Sequence, residues 1–139
     1  MELSEYLPHR PPMLLLDRLL EVSAPGATAG LKVPQEGLFH LEGKVPSYLG
    51  LEYLAQTAAL HAGWLAAEAH QPARLGKLIA VRSLELRRPF FLPQDGLLAQ
   101  VWLEGEQGAT RLYRGTVRRE GETEPVVLGT LTVLLEAPP

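Results

Sequence analysis

Apolar and polar positions change rhythm twice along this chain. From Met13 to Val22 the run Met-Leu-Leu-Leu-Asp-Arg-Leu-Leu-Glu-Val is too short and too continuous for its period alone to separate helix from strand. The break at Ala24-Pro-Gly and the segment Ala27-Thr-Ala-Gly-Leu-Lys-Val33 favour two strands joined by a turn, so a first hairpin is predicted. Residues 34 to 46 carry Pro, Gly and charge and read as a long loop, a kind of segment that often carries function in compact domains. Pro46 and Ser47 give a helix start, with Ser47 as N-cap, and the helix is predicted to run to about Ala69, where His70-Gln-Pro72 stops it. It would be about 33 Å long, the central element of the domain. Its body, from Tyr53 to Ala69, is small and apolar on nearly every face, as a helix enclosed on all sides should be.

Beyond the helix the texture becomes that of strands. Lys77–Arg87, Leu97–Glu104, Thr110–Arg118 and Val126–Leu135 alternate or carry β-branched residues. The punctuation at Pro93-Gln-Asp-Gly96, Gly105-Glu-Gln-Gly108 and Glu120–Pro125 suits an antiparallel meander. Two strands, a long apolar helix and four strands suggest an α+β fold in which an antiparallel sheet curls around the helix, the hot-dog arrangement. The chain has 139 residues, which fits a single domain over residues 1–139 and leaves no room for a second.

Composition narrows the chemistry. Cysteine is absent, which excludes a disulfide framework, a thiolate metal site and a thiol nucleophile. The net charge of −3 gives no basic footprint for nucleic acid. Four scattered histidines lack metal-ligand spacing, and no Gly-rich nucleotide loop follows a strand. The first residues carry acids where a signal peptide needs bases, and no apolar run approaches the ~18 residues of a membrane span, so a cytoplasmic protein is expected.

Three segments resemble one enzyme family. Leu7-Pro-His-Arg-Pro-Pro-Met-Leu-Leu-Leu-Asp-Arg18 is similar to the LPHRxPxLLxDR opening of the 3-hydroxyacyl-[acyl-carrier-protein] dehydratases. Pro46-Ser-Tyr-Leu-Gly-Leu-Glu-Tyr-Leu-Ala-Gln56 resembles that family's P-G-x-L-x-x-E/D-A-M-x-Q helix start, and Arg87-Arg-Pro-Phe-Phe-Leu-Pro-Gln-Asp95 its RRPVxPGD strand and turn. The wording from Gly50 to Gln56 is most similar to the short dehydratase-like proteins of aryl-polyene and related pathways. The catalytic loop departs from the pattern. Where the family reads H-F-P-G-x-P-V-M-P-G, this chain reads His40-Leu-Glu-Gly-Lys-Val-Pro-Ser47, two residues shorter. An ungapped alignment from Glu52 puts Leu38 at the histidine position, and a two-residue deletion restores His40.

The resemblance implies dehydration of a 3-hydroxyacyl thioester in fatty acid or polyene-type lipid biosynthesis. That reaction needs a base for the C2 proton and an acid for the hydroxide leaving group, and no cofactor. His40 is the candidate base, Glu52 the acid, and the Ser47 amide, at the family's glycine position, the donor to the thioester oxygen. Gln56, one helical turn beyond Glu52, orients or caps by hydrogen bonding. Arg87 and Arg88 would bind an acidic carrier protein or a phosphopantetheine phosphate, or form a solvated strand edge. The substrate would be an acyl carrier protein or coenzyme A thioester. The partner would be a second copy, in a homodimer or larger homo-oligomer, with a heterodimer also open.

Plainer roles stand beside these. Glu52 could be a helix acid held by the dipole, and His40 a solvated loop histidine. His61 reads as a core or dimer-interface residue and His70 as a partner of the helix C-terminus. His9 reads as structural, fixing the entry of the first strand through hydrogen bonds. Two rival functions remain: a hot-dog acyl thioesterase, and a catalytically silent subunit of a heteromeric dehydratase.

Overall fold

The structure is a computed structural model that describes residues 3–72 and 74–136. In chain order the strands are β1 (Arg18–Ser23), β2 (Gly26–Lys32) and β3 (Val45–Pro46), followed by α1 (Gly50–Glu68), β4 (Gly76–Leu86), β5 (Phe90–Phe91), β6 (Gly96–Gln107), β7 (Thr110–Arg119) and β8 (Val127–Leu135). Six strands form one antiparallel sheet in the order β1-β2-β6-β7-β8-β4, while β3 and β5 pair separately. The predicted hairpin is present, with Ser23 opposite Gly26 across the turn. Gly26 cannot be replaced there, because a Cβ would lie 2.1 Å from the carbonyl oxygen of Val101 on β6. Only β6, β7 and β8 form a meander; β4 lies at the far edge beside β8.

The helix lies across the sheet, and its segment Gln56–Gly63 is buried at every position. One face of β8 meets it through Val127, Gly129, Leu131, Val133 and Leu135, in strict alternation with half-exposed residues. The predicted enclosure fails at the C-terminal end of α1, where Glu68 is exposed. The helix ends as a Schellman motif: the His70 amide donates to Ala67, the Gln71 amide donates to Ala66, and His70 adopts φ 54°.

The predicted start of the first strand at Met13 requires correction. Residues 3–17 form a strap that lies on the helix, because the Gln56 side chain of α1 takes its backbone bonds. Gln56 Oε1 accepts from the Leu15 amide and Gln56 Nε2 donates to the Met13 carbonyl. Leu3, Leu7 and Leu16 of the strap enter the core. A Cβ at Gly63 would lie 2.2 Å from the Tyr6 carbonyl oxygen, so glycine lets the strap touch the helix backbone.

Candidate active site

The helix entry is built from the small β3/β5 ladder. Val45 pairs with Phe91 and Pro46 with Phe90. The ladder continues at Ser47, whose amide donates to the Pro89 carbonyl at 2.9 Å. The Ser47 hydroxyl donates to the Arg88 carbonyl, and the residue is buried. Two expectations are thereby corrected. Ser47 is not the side-chain N-cap of α1, and its amide is already committed to a strand partner rather than free for a substrate oxygen. A single 3-10 turn, Ser47–Leu49, separates the ladder from α1, which places Glu52 in the first turn of the α-helix.

Glu52 is not fully enclosed: its side chain is 37% exposed. Its Oε1 accepts from Gln56 Nε2 at 3.0 Å, the turn-to-turn contact expected for residues four apart. His9 Nε2 stands 4.0 Å from the same oxygen. The histidine nearest Glu52 within one protomer is thus the one read as structural. Backbone anchoring near it comes from Arg10, which donates to the carbonyls of Leu7 and His9, and not from the His9 ring. The family-like LPHR wording could have pointed to this residue, but spacing alone could not show a strap folded back onto the helix.

His40 sits in the loop before β3, where a tight turn with Glu42 at φ 51° and Gly43 at φ 78° closes the Leu41–Lys44 bridge. Its Nε2–H donates to the Pro34 carbonyl at 2.8 Å, so Nδ1 carries the lone pair. That nitrogen is buried without a hydrogen-bond partner. Among the described residues His40 and Glu52 form no ion pair within the chain. Leu38, the ungapped alternative, is 68% exposed.

His40 lines an apolar cavity of about 640 Å³, together with Leu14, Leu15, Leu31, Leu49 and Tyr53. Asp17 and Lys32 add charge to its wall, and Asp17 Oδ2 accepts from the Lys32 amide. Sequence reading missed both, although Asp17 belongs to the LLxDR-like wording. Burial, with Asp17 adding to it, pushes the Tyr53 phenol above its ordinary range, so Tyr53 stays neutral.

Arg87 and Arg88 are exposed but engaged. Arg87 pairs with Glu85 and Glu124, and Arg88 with Glu122. His61 is fully buried: Nε2–H donates to the Ser23 and Ala24 carbonyls, and Nδ1 accepts from the Tyr113 hydroxyl. Among the described residues no group of three or more His, Asp or Glu side chains is arranged to hold a metal ion. No helix among them is long and apolar enough to cross a membrane.

A helix wrapped by an antiparallel sheet, with an apolar cavity lined by Leu49 and Tyr53 at its start and the Glu52 carboxylate outside that lining, against Gln56 and His9, defines a hot-dog fold. Comparison with known proteins gives the family. A model of ApeP-like dehydratases matches residues 1–137, and the chain belongs to that family, among the 3-hydroxyacyl-[acyl-carrier-protein] dehydratases. It is 32% identical over 126 residues to the 3-hydroxyacyl-[acyl-carrier-protein] dehydratase FabZ of Anaeromyxobacter dehalogenans, covering 86% of this chain and 80% of that protein. It is 34% identical to the FabZ of Herpetosiphon aurantiacus, covering 83% and 87%. In fold it matches a chain of the dehydratase heterocomplex ApeI:P from Xenorhabdus doucetiae with a TM-score of 0.90 at 24% identity, over 99% of this chain and 92% of that one. A hypothetical thioesterase from Streptococcus pneumoniae shares the fold at a TM-score of 0.67 and 13% identity, covering 86% and 84%.

Proposed function

We propose that this protein removes water from a carrier-bound 3-hydroxyacyl thioester to give the trans-2-enoyl thioester in fatty acid or polyene-type lipid biosynthesis. The observation that carries this reading is the dehydratase match over residues 1–137. The site geometry supports it. His40 Nδ1, its lone pair oriented by the Nε2–H bond to Pro34, takes the C2 proton. The C–H electrons form the C2–C3 double bond, the C3–O bond breaks, and Glu52 gives its proton to the departing hydroxide, which leaves as water. The thioester carbonyl gains charge as C2 loses its proton, and the positive end of α1 beside the cavity favours that charge. The acyl tail lies among Leu14, Leu15, Leu31 and Leu49.

Because His40 and Glu52 do not pair within one chain, the site is completed by a second protomer, with His40 of one chain facing Glu52 of the other. The substrate arrives on an acyl carrier protein or as a coenzyme A thioester, with Arg87 and Arg88 exchanging their own acids for those of the carrier or for the phosphopantetheine phosphate.

The test follows enoyl formation and thiol release together, using purified protein and a 3-hydroxyacyl carrier thioester. Enoyl product without free thiol is expected. Glu52→Gln should abolish it with the unfolding temperature unchanged, since the amide keeps the shape but has no proton to deliver. His40→Ala should slow it at least ~10²-fold. Thiol release without enoyl formation would make the protein a thioesterase. Turnover only after addition of a second hot-dog subunit would make it the supporting half of a heteromer.

A further inference from the structure

We infer that His9 is a positioning residue of this site, holding Oε1 of Glu52 so that the proton delivered to the leaving hydroxide resides on Oε2. This rests on Glu52 being the acid, and it adds a role within the same chain that the His40 and Glu52 chemistry does not contain.

Gln56 fixes the starting point. Its Oε1 accepts from the Leu15 amide at 2.9 Å, so the other end of the amide is the NH2 group and the orientation is not in question. That group donates to the Met13 carbonyl at 2.8 Å and to Glu52 Oε1 at 3.0 Å. Oε1 is therefore an acceptor. His9 Nε2 approaches the same oxygen, at 4.0 Å. His9 Nδ1 is buried and unpartnered, and buried N–H groups are left without an acceptor more rarely than acceptors are left without a donor, so the imidazole proton is assigned to Nε2, facing Oε1. Gln56 thus hydrogen-bonds Oε1, and the His9 N–H faces the same oxygen from 4.0 Å, a gap that closes to hydrogen-bond length when either side chain moves inward. The transferable proton is left to Oε2.

The placement of His9 is fixed from both sides. Arg10 Nη1 binds the carbonyls of Leu7 and His9, each at 2.8 Å. The Met13 and Leu14 amides donate to the Arg10 carbonyl. Leu7 is buried before it, and Gln56 clamps Met13 and Leu15 after it. A chain held this firmly presents the ring to Glu52 as a consequence of its fold, and contacts that are long in a free enzyme often shorten once substrate is bound.

The test uses the full chain in its native assembly. His9→Ala should lower kcat by about 10²-fold, the effect of a misplaced catalytic group, with KM changed less than about threefold. His9→Gln, whose amide nitrogen can stand where Nε2 stands, should keep kcat within about fivefold of wild type. A long-range proton–nitrogen spectrum of the wild-type protein should show His9 as the Nε2–H tautomer, a readout that needs neither turnover nor a variant that folds. An Nδ1–H tautomer, or His9→Ala with unchanged kcat, would overturn the inference. Failure of the dehydratase reading looks different: wild-type protein then forms no enoyl product, while the spectrum still decides whether His9 addresses Glu52.

Discussion

His61 is a buried side chain whose protonation is coupled to the stability of this fold near neutral pH. Burial is the main cause that lowers its pKa below the ordinary 6.5, opposed by the Ser23 and Ala24 carbonyls and by the charge of Glu106. Well above that value His61 is neutral in both folded and unfolded chains and contributes no pH dependence. As the pH falls through it, the unfolded chain takes up the proton first, so stability drops until the folded imidazole also protonates. Urea denaturation from pH 7.5 to 5.0 should therefore show a decline that His61→Gln lacks, in a variant already weaker by about 1–3 kcal/mol from the orphaned Tyr113 hydroxyl. Equal slopes in the two proteins would show that His61 protonates as readily folded as unfolded. Gln94 illustrates a different constraint. It sits at φ 73° between Pro93 and Asp95, the third position of a turn where the family-like pattern has glycine. The Leu92 amide and Arg119 both bind the Asp95 carboxylate there, which holds the turn without a glycine.

At the level of elements, the strap and helix depend on one contact. Gly63 faces the Tyr6 carbonyl so closely that Gly63→Ala must push the strap away, which should cost about 1–3 kcal/mol and expose the N-terminal residues to limited proteolysis. Because the strap carries His9, activity should fall further than stability does. Unchanged protease resistance would show that the strap is held without this approach. The contact also explains what the sequence could and could not convey. The long helix was legible because Tyr53 to Ala69 is apolar on nearly every side, and the strands because their faces alternate. The strap was not, since Met13 to Asp17 is as apolar as a strand and its backbone partners come from Gln56, 41 and 43 residues away. Glu52 was legible as an acid beside an apolar run. The commitment of the Ser47 amide was hidden for the reason that hid the strap: its partner, Pro89, lies far along the chain on a ladder of two-residue strands.

The two edges of the sheet divide the surface of the whole molecule unequally. Both edges are bulged, β1 between Leu19 and Glu21 and β4 at two places, and both carry charge, but on β1 Leu20 is the one large apolar residue that is strongly exposed. The β4 edge leaves Ile79, Val81, Leu84 and Leu86 between 37% and 49% exposed. An apolar edge of that kind invites a second strand, and pairing β4 with β4 of another copy would join two sheets into one. Val81→Lys should then shift the protein from dimer to monomer in sedimentation at micromolar concentration and remove turnover, while the circular dichroism of helix and sheet persists. A sharper test asks whether the site is shared. His40→Ala and Glu52→Gln are each expected to be inactive alone. After subunit exchange half of the dimers are mixed, and in each mixed dimer one of the two sites receives an intact His40 from one chain and an intact Glu52 from the other. Mixing should thus restore about one quarter of wild-type activity. No recovery, with exchange verified by mass, would place both residues' work within one chain and leave His9 as the histidine that serves Glu52.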